Sequence, residues 1–147
     1  MTTQTATLPR HARIWPRVRP GDFLDDYCIE TPLSPREVLN LALHMPGWAT
    51  ALLHLRDALV RPFGLKTAGT EGDTGFPVEY EAADEIIVGF DDRHLDFRIT
   101  VLKSGGMAHI ATWVHRNNLL GRLYLPLVIP VHRLILRGAV RRISAAR

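Results

Sequence analysis

The stretch between Asp84 and Tyr124 constrains the fold of this chain more than any other part of the sequence. Three runs of alternating apolar and polar residues follow one another there, separated by short turn signals at Asp91-Asp92 and around Gly105. Alternation with a period of two is typical of strands that bury one face. The third run leads almost directly into an apolar helical pattern, so the stretch predicts three antiparallel strands followed by a long helix.

The turns also predict how these strands pair. A two-residue hairpin at Asp91-Asp92 would place Glu85 opposite Arg98. The second hairpin turns at Ser104-Gly105 or at Gly105-Gly106, and both choices remain open. Either choice keeps the apolar side chains on one face, because only a one-residue slip would invert a strand. This apolar face consists of Leu95, Phe97, Ile99, Val101, Ala108, Ile110, Thr112 and Val114.

Two helices and two further strands are predicted ahead of these three strands. Short strands are expected over residues 27–31 and 76–81. The segment Ser34-Pro35-Arg36-Glu37 combines a capping serine, a proline at the first helical position and a glutamate that completes a capping box. Pro46-Gly47 ends this helix, and a second helix follows with an apolar stripe expected to face the core. The stripe consists of Trp48, Leu52, Leu55, Leu59 and Phe63.

The last helix is predicted to begin at Asn117 or Asn118 and to tolerate two internal prolines. Both prolines share one stripe with arginines, which we expect to face water: Arg122, Pro126, Pro130, Arg133, Arg137 and Arg141. The side expected to face inward carries Leu120, Tyr124, Leu127, Val131 and Leu134. Because charged residues interrupt this last helix, we interpret the helix as part of the core and not as a membrane span. The predicted fold is α+β in the order β-α-α-β-β-β-β-α, an antiparallel sheet gripping a long C-terminal helix (helix-grip).

Basic residues concentrate at the two ends of this 147-residue chain. Residues 1–20 carry four arginines, three prolines and no acidic residue, so we expect a flexible basic arm ahead of a single domain over residues 21–147. Residues 133–147 carry five more arginines. An anionic membrane surface could attract both ends. Nucleic acid is disfavoured as a partner, because neither stacking aromatics nor a reader motif accompanies the arginines.

The N-terminus lacks the apolar core of a signal peptide, and Cys28 is the only cysteine. An intrachain disulfide is therefore excluded. These two features predict a cytoplasmic protein.

Several short sequence segments, occurring in a fixed order, indicate a protein family. They are GDFLDDY at residue 21, PGW at 46, LRDALVRPFGLK at 55, FPV at 76, E-x-x-x-G-x-DDRHLDFR over 85–98, TWVHRNNLLGRLYL at 112 and PVHRLI at 130. This succession, over residues 21–143, resembles the bacterial domain-of-unknown-function family 2867, which is similar to the START and polyketide-cyclase (SRPBCC, helix-grip) superfamily. The resemblance implies a cavity for a small apolar molecule between the sheet and the long helix. Relatives fused to reductase-like domains imply an oxidoreductase partner for any redox role.

Candidate site residues lie mainly on the polar face of the predicted sheet. Three of them, His94, Asp96 and His115, could form a His–Asp acid–base pair, with Asp96 opposite His115 in one hairpin register and His94 opposite His115 in the other. Histidine and aspartate could also bind a metal, but no ligand motif demands it, so neither a metal nor another cofactor is expected. The candidates for lining a pocket are Arg98, His109, Trp113, Tyr124 and His132.

The residues favour ligand binding over catalysis, because no serine or cysteine nucleophile is placed beside the His–Asp residues. An acid–base enzyme of the cyclase or isomerase type remains the alternative. Which face of the sheet lines the cavity is the question that separates the two.

Overall fold

The computed structural model describes residues 4–5, 7–44, 47–63 and 76–146 of the chain. Its fold is α+β with the predicted order of elements, preceded by one additional two-residue strand. The elements are β1 (Gln4–Thr5), β2 (Phe23–Glu30), α1 (Pro35–Leu43), α2 (Gly47–Val60), β3 (Val78–Glu81), β4 (Glu85–Asp91), β5 (Leu95–Ser104), β6 (Met107–Arg116) and α3 (Leu119–Ala145). The antiparallel sheet has the strand order β1-β2-β6-β5-β4-β3, and the long C-terminal helix α3 packs against it.

The prediction that the apolar side chains of the central strands share one face of the sheet is confirmed. Val101 and Ile110 are completely buried in one cluster with residues of α1 and α3. We call this side of the sheet the helix face, and the side that carries Arg98 and Trp113 the outer face. Because side chains alternate strictly along a strand, the sequence pattern alone was enough to sort the two faces.

The predicted pairing of β4 with β5 is wrong by four residues. Glu85 lies opposite Leu102 and not opposite Arg98, since Asp91 pairs with Asp96 across a longer connection. Inside that connection the backbone N–H of Asp92 donates to the carbonyl of Leu95 and to the Asp96 carboxylate. A shift by an even number of residues leaves every side chain on its face, so the predicted assignment of side chains to the two faces is still correct.

The β5–β6 hairpin turns at Gly105-Gly106, one of the two alternatives. Ser104 pairs with Met107, and the two glycines have φ values of 59° and 81°. A two-residue hairpin turn of this kind requires positive φ at both central residues, which glycine adopts without strain. This register places Asp96 opposite His115.

Helix α1 begins as predicted, whereas three members of the apolar stripe predicted for α2 do not face the core. The capping box is present, with the N–H of Ser34 donating to the Glu37 carboxylate at 2.8 Å. In α2, by contrast, Trp48, Leu52 and Leu55 are 49%, 42% and 55% exposed. The predicted stripe members Leu59 and Phe63 have side chains outside the described part of the chain. An apolar stripe shows that a helix has an apolar side, but α1 and α3 already occupy the helix face of the sheet.

Helix α3 begins after Asn118, whose side chain accepts a hydrogen bond from the N–H of Gly121 at 3.1 Å. All six residues of the predicted arginine and proline stripe are exposed, as expected. Leu127 and Leu134, however, are exposed instead of facing inward. The buried positions are Gly121, Leu125, Leu136, Ala139, Val140 and Ile143. Apolar residues occupy nearly the whole first half of this helix, so periodicity left its inward direction ambiguous.

Contrary to the predicted flexible arm, residues 8–18 pack on the outer face of the sheet. Leu8, Ala12 and Ile14 are buried against Leu102, Ala111 and Trp113. The backbone N–H of Arg13 also donates to the buried carboxylate of Glu85 at 3.1 Å. The folded unit therefore includes this N-terminal segment, which shields the outer face from water.

Candidate functional site

A cavity lies on the helix face, between the sheet and α3. Its volume is about 200 Å³ and it is partly open to solvent. Apolar side chains form most of its wall, including Phe23, Leu95, Phe97, Val114, Leu125 and Ile129. Three polar residues, Thr112, Tyr124 and His132, complete the wall. An apolar pocket with a few converging polar groups is the usual form of a small-molecule site.

Of the five residues predicted to line a pocket, only Tyr124 and His132 line this cavity. Arg98, His109 and Trp113 lie on the outer face, under or beside the N-terminal segment. Arg98 forms ion pairs with Glu79 and with Asp91, the latter at 2.8 Å. Burial by itself would lower the pKa of Arg98, but the hydrogen bonds with these two carboxylates outweigh burial and raise it. The guanidinium is thus held as part of the structure.

Trp113 is held in place by Asp22, which immediately precedes β2. The indole N–H of Trp113 donates to one carboxylate oxygen of Asp22 at 2.9 Å, and Nδ1 of His115 lies 2.5 Å from the other. Burial alone would raise the pKa of Asp22, but its hydrogen bonds to His115, the Arg19 N–H and Trp113 together lower it. This carboxylate is therefore stabilised in its charged form.

His109 pairs with Asp26 in a more enclosed setting. Nδ1 of His109 lies 2.8 Å from one carboxylate oxygen of Asp26, while the other oxygen has no hydrogen-bond partner among the described residues. Burial raises the pKa of Asp26 in spite of the bond to His109. The pKa values of Asp22 and Asp26, four residues apart, are thus shifted in opposite directions, because burial dominates at the more enclosed Asp26 whereas three hydrogen bonds outweigh burial at Asp22.

The three residues considered for acid–base chemistry do not form one site. His94 bonds to the side chain of Asn118 at 2.7 Å, which joins the β4–β5 connection to the start of α3. Asp96 accepts hydrogen bonds from the Asp92 N–H and from Asn117. His115 bonds to Asp22. Although Asp96 and His115 are neighbours across two strands, each side chain serves a different local structure.

No group of three or more histidine, cysteine, aspartate or glutamate residues is arranged to hold a metal ion within the described ranges.

Two residues that sequence reasoning did not assign to the site are Asp25 and Thr112. Asp25 lies on the helix face, where its carboxylate is 3.0 Å from Nε2 of His132 and accepts the backbone N–H of Thr112 at 3.2 Å. The Thr112 hydroxyl is buried without a hydrogen-bond partner in the described part of the chain. The sequence did mark Asp25 as unusual, because it alternates with Phe23 and Tyr27 on β2 and so shares their apolar face. A carboxylate buried on such a face is costly unless a partner compensates its charge.

This arrangement provides a small polar region in the wall of an otherwise apolar cavity. Asp25 orients the imidazole of His132, and the rings of Phe23 and His132 pack in a T-shaped arrangement with a centroid separation of 6.1 Å. When Nε2 carries the proton toward Asp25, Nδ1 is left as an acceptor. The cavity can therefore combine apolar contacts with hydrogen bonding to one polar group of a ligand.

No curated protein and no solved structure matches the chain. One family model, described as a protein of unknown function (DUF2867), matches residues 18–139. The match includes the aspartates of β2, the cavity and most of α3. The chain therefore belongs to the DUF2867 family of proteins of unknown function.

Proposed function

We propose that this protein binds a small, largely apolar molecule that carries one oxygen function, in the cavity between the sheet and α3. The observation that supports this most is the apolar cavity wall, which includes Thr112, whose buried hydroxyl has no hydrogen-bond partner among the described residues. The same arrangement supports a relationship to the helix-grip superfamily of START-like and polyketide-cyclase-like proteins, in which the sheet and the long helix enclose the ligand.

The volume of the cavity limits the size of the ligand. An apolar cavity of roughly 150 Å³ is sufficient to bind benzene, and this cavity measures about 200 Å³. Drug-sized ligands commonly occupy pockets of roughly 300–1,000 Å³. A single substituted ring or a short branched chain therefore suits the cavity, whereas a sterol or a long-chain lipid exceeds it.

The polar residues indicate what the ligand carries at one end. A buried hydroxyl without a partner costs about 1–3 kcal/mol, and Thr112 is only 7% exposed. Because the hydroxyl oxygen itself has almost no accessible surface, a rotation about χ1 would have to turn it toward the cavity. A carbonyl oxygen of the ligand could then accept its hydrogen bond and remove that cost. Tyr124 and His132 lie on the same cavity wall and would limit where the ligand oxygen can sit.

The proposal is tested by calorimetric titration of the purified protein with acetophenone and ethylbenzene. Both rings should bind, and acetophenone should bind more tightly. Ile129→Trp, which fills the cavity, should abolish both interactions, whereas Leu123→Trp on the exposed side of the same helix should leave them unchanged. Thr112→Val should weaken only acetophenone, by about fivefold for one net hydrogen bond, while Thr112→Ser should not. If neither compound binds the wild-type protein, the proposal fails.

A second candidate function is proton transfer on the bound ligand, and the Asp25–His132 pair is the observation that favours it. His132 would remove a proton from the carbon next to the ligand carbonyl and return it, with Asp25 stabilising the imidazolium. In D₂O, wild-type protein should then accelerate deuterium incorporation into the methyl group of acetophenone. His132→Gln should abolish the acceleration and His109→Gln should not. Exchange at the buffer rate with wild-type protein would exclude this candidate.

A further inference from the structure

The solvent side of α3 carries an apolar strip that the fold leaves uncovered. Four leucines of this strip, which we call the leucine face, are 70%, 63%, 77% and 54% exposed: Leu119, Leu123, Leu127 and Leu134. With a rise of about 1.5 Å per residue, they extend along roughly 22 Å of helix. Single exposed leucines are common on protein surfaces, but a continuous apolar strip usually marks an interaction site.

The charged residues of α3 beside the leucine face are all basic. Arg122, Arg133, Arg137 and Arg141 are exposed, and α3 contains no acidic residue. No ion pair within the described ranges engages any of these four arginines. Two arginines of the N-terminal segment differ: Arg17 pairs with Glu79, and Arg13 stacks on Tyr80 at 4.2 Å. Four exposed arginines that have no ion pair among the described residues therefore lie on α3, next to its exposed leucines.

We propose that the leucine face of α3 lies in the surface of an anionic phospholipid membrane. A helix with one apolar side and flanking arginines binds such surfaces by burying its apolar side while the cations meet the lipid phosphates. A second copy of the chain fits less well, because two leucine faces packed together would bring arginines of like charge close to one another.

The packing of α3 also distinguishes lying on a membrane from crossing it. By length and composition α3 could cross a membrane, and only 17% of its most apolar stretch is buried. Its opposite side, however, packs into the core through Ala139, Val140 and Ile143. Arg142 also donates to the backbone carbonyl of Leu41 in α1 at 3.2 Å. Crossing would break this packing, whereas surface binding uses only residues that the fold leaves exposed.

Vesicle flotation of the full chain tests the proposal, with phosphatidylcholine vesicles that contain or lack phosphatidylserine. Wild-type protein should float with the phosphatidylserine vesicles and be released by salt. The double variant Arg133→Gln, Arg137→Gln should bind roughly 30-fold more weakly, from the loss of two cations near an anionic surface. The double variant Leu123→Ser, Leu127→Ser should lose about a hundredfold.

The matched control is Leu52→Ser, Leu55→Ser on α2, which removes two exposed leucines outside the leucine face. It should bind vesicles like the wild type. Equal flotation of wild type with both vesicle types, or equal losses in the α2 and α3 leucine variants, would overturn the proposal. So would sedimentation showing a dimer that the α3 leucine variant dissociates, with no vesicle binding by the wild type. Because every substituted residue is exposed, thermal unfolding should confirm that the variants fold.

Discussion

Ile14 provides the sharpest test of the fold, because the sequence predicts that it lies in a flexible arm and the structure buries it completely. Its side chain packs in one cluster with Leu102, Ala111 and Trp113 on the outer face. Truncating a buried isoleucine to alanine costs about 2–5 kcal/mol from lost burial and the cavity left behind. We expect Ile14→Ala to cost about 3 kcal/mol, since the N-terminal segment can relax partly toward the sheet.

The cost is measurable by thermal and urea unfolding followed by circular dichroism. For a chain of this size, about 3 kcal/mol corresponds to a decrease in Tm of roughly 10 °C. Leu127→Ala, a change of similar size at a residue 77% exposed, is the matched control and should shift Tm by less than about 2 °C. If both variants unfold like the wild type, or if removing residues 1–20 leaves stability unchanged, the N-terminal segment does not belong to the folded core.

Two further predictions concern single residues. Asp22 has a lowered pKa, so its stabilising contribution is present above its unfolded pKa of about 3.9 and is lost as the pH falls through the folded value. Asp26 has a raised pKa, so its contribution is present below about 3.9 and is lost as the pH rises through the folded value. In urea unfolding near neutral pH, Asp22→Asn should therefore destabilise more than Asp26→Asn, and the reverse order would contradict the assignment. Gly89 has a φ of 143°, and a Cβ there would collide with the carbonyl oxygen of Phe97. Gly89→Ala should lower the free energy of unfolding by about 2–4 kcal/mol, measured by urea unfolding. Gly105→Ala, where a Cβ would meet open space, should lower it by about 1 kcal/mol. Equal losses in the two variants would refute the role of the close approach at Gly89.

Local patterns predicted the elements and the two faces of the central strands well. The capping box at Ser34, the turn at Gly105-Gly106 and the exposed arginine stripe of α3 each depend on residues close together in the sequence. Strand parity was equally secure, because it survives any pairing shift by an even number of residues. The exact β4–β5 pairing could not be predicted in this way, because the side chains of Asp96 and Asn117 stabilise a longer connection than a two-residue turn.

The candidate site was harder to predict because it depends on contacts between distant residues. The histidines of the outer face looked like one cluster, yet each bonds to a residue that periodicity does not place beside it. His132, one of the predicted pocket residues, lines the cavity, but its partner Asp25 is 107 positions away in the sequence. Sequence alone indicated only that Asp25 was a carboxylate on an apolar strand face.

The sequence by itself determined the α+β class, the order of the elements, the two faces of the central strands and the water-facing stripe of α3, because these follow from backbone periodicity and local caps. Only the tertiary structure decided which face of the sheet encloses a cavity. The N-terminal segment covers the outer face and α3 leaves space over the helix face, and both depend on which surfaces meet. Such packing is set by competition among all apolar surfaces of the chain, which no local pattern records.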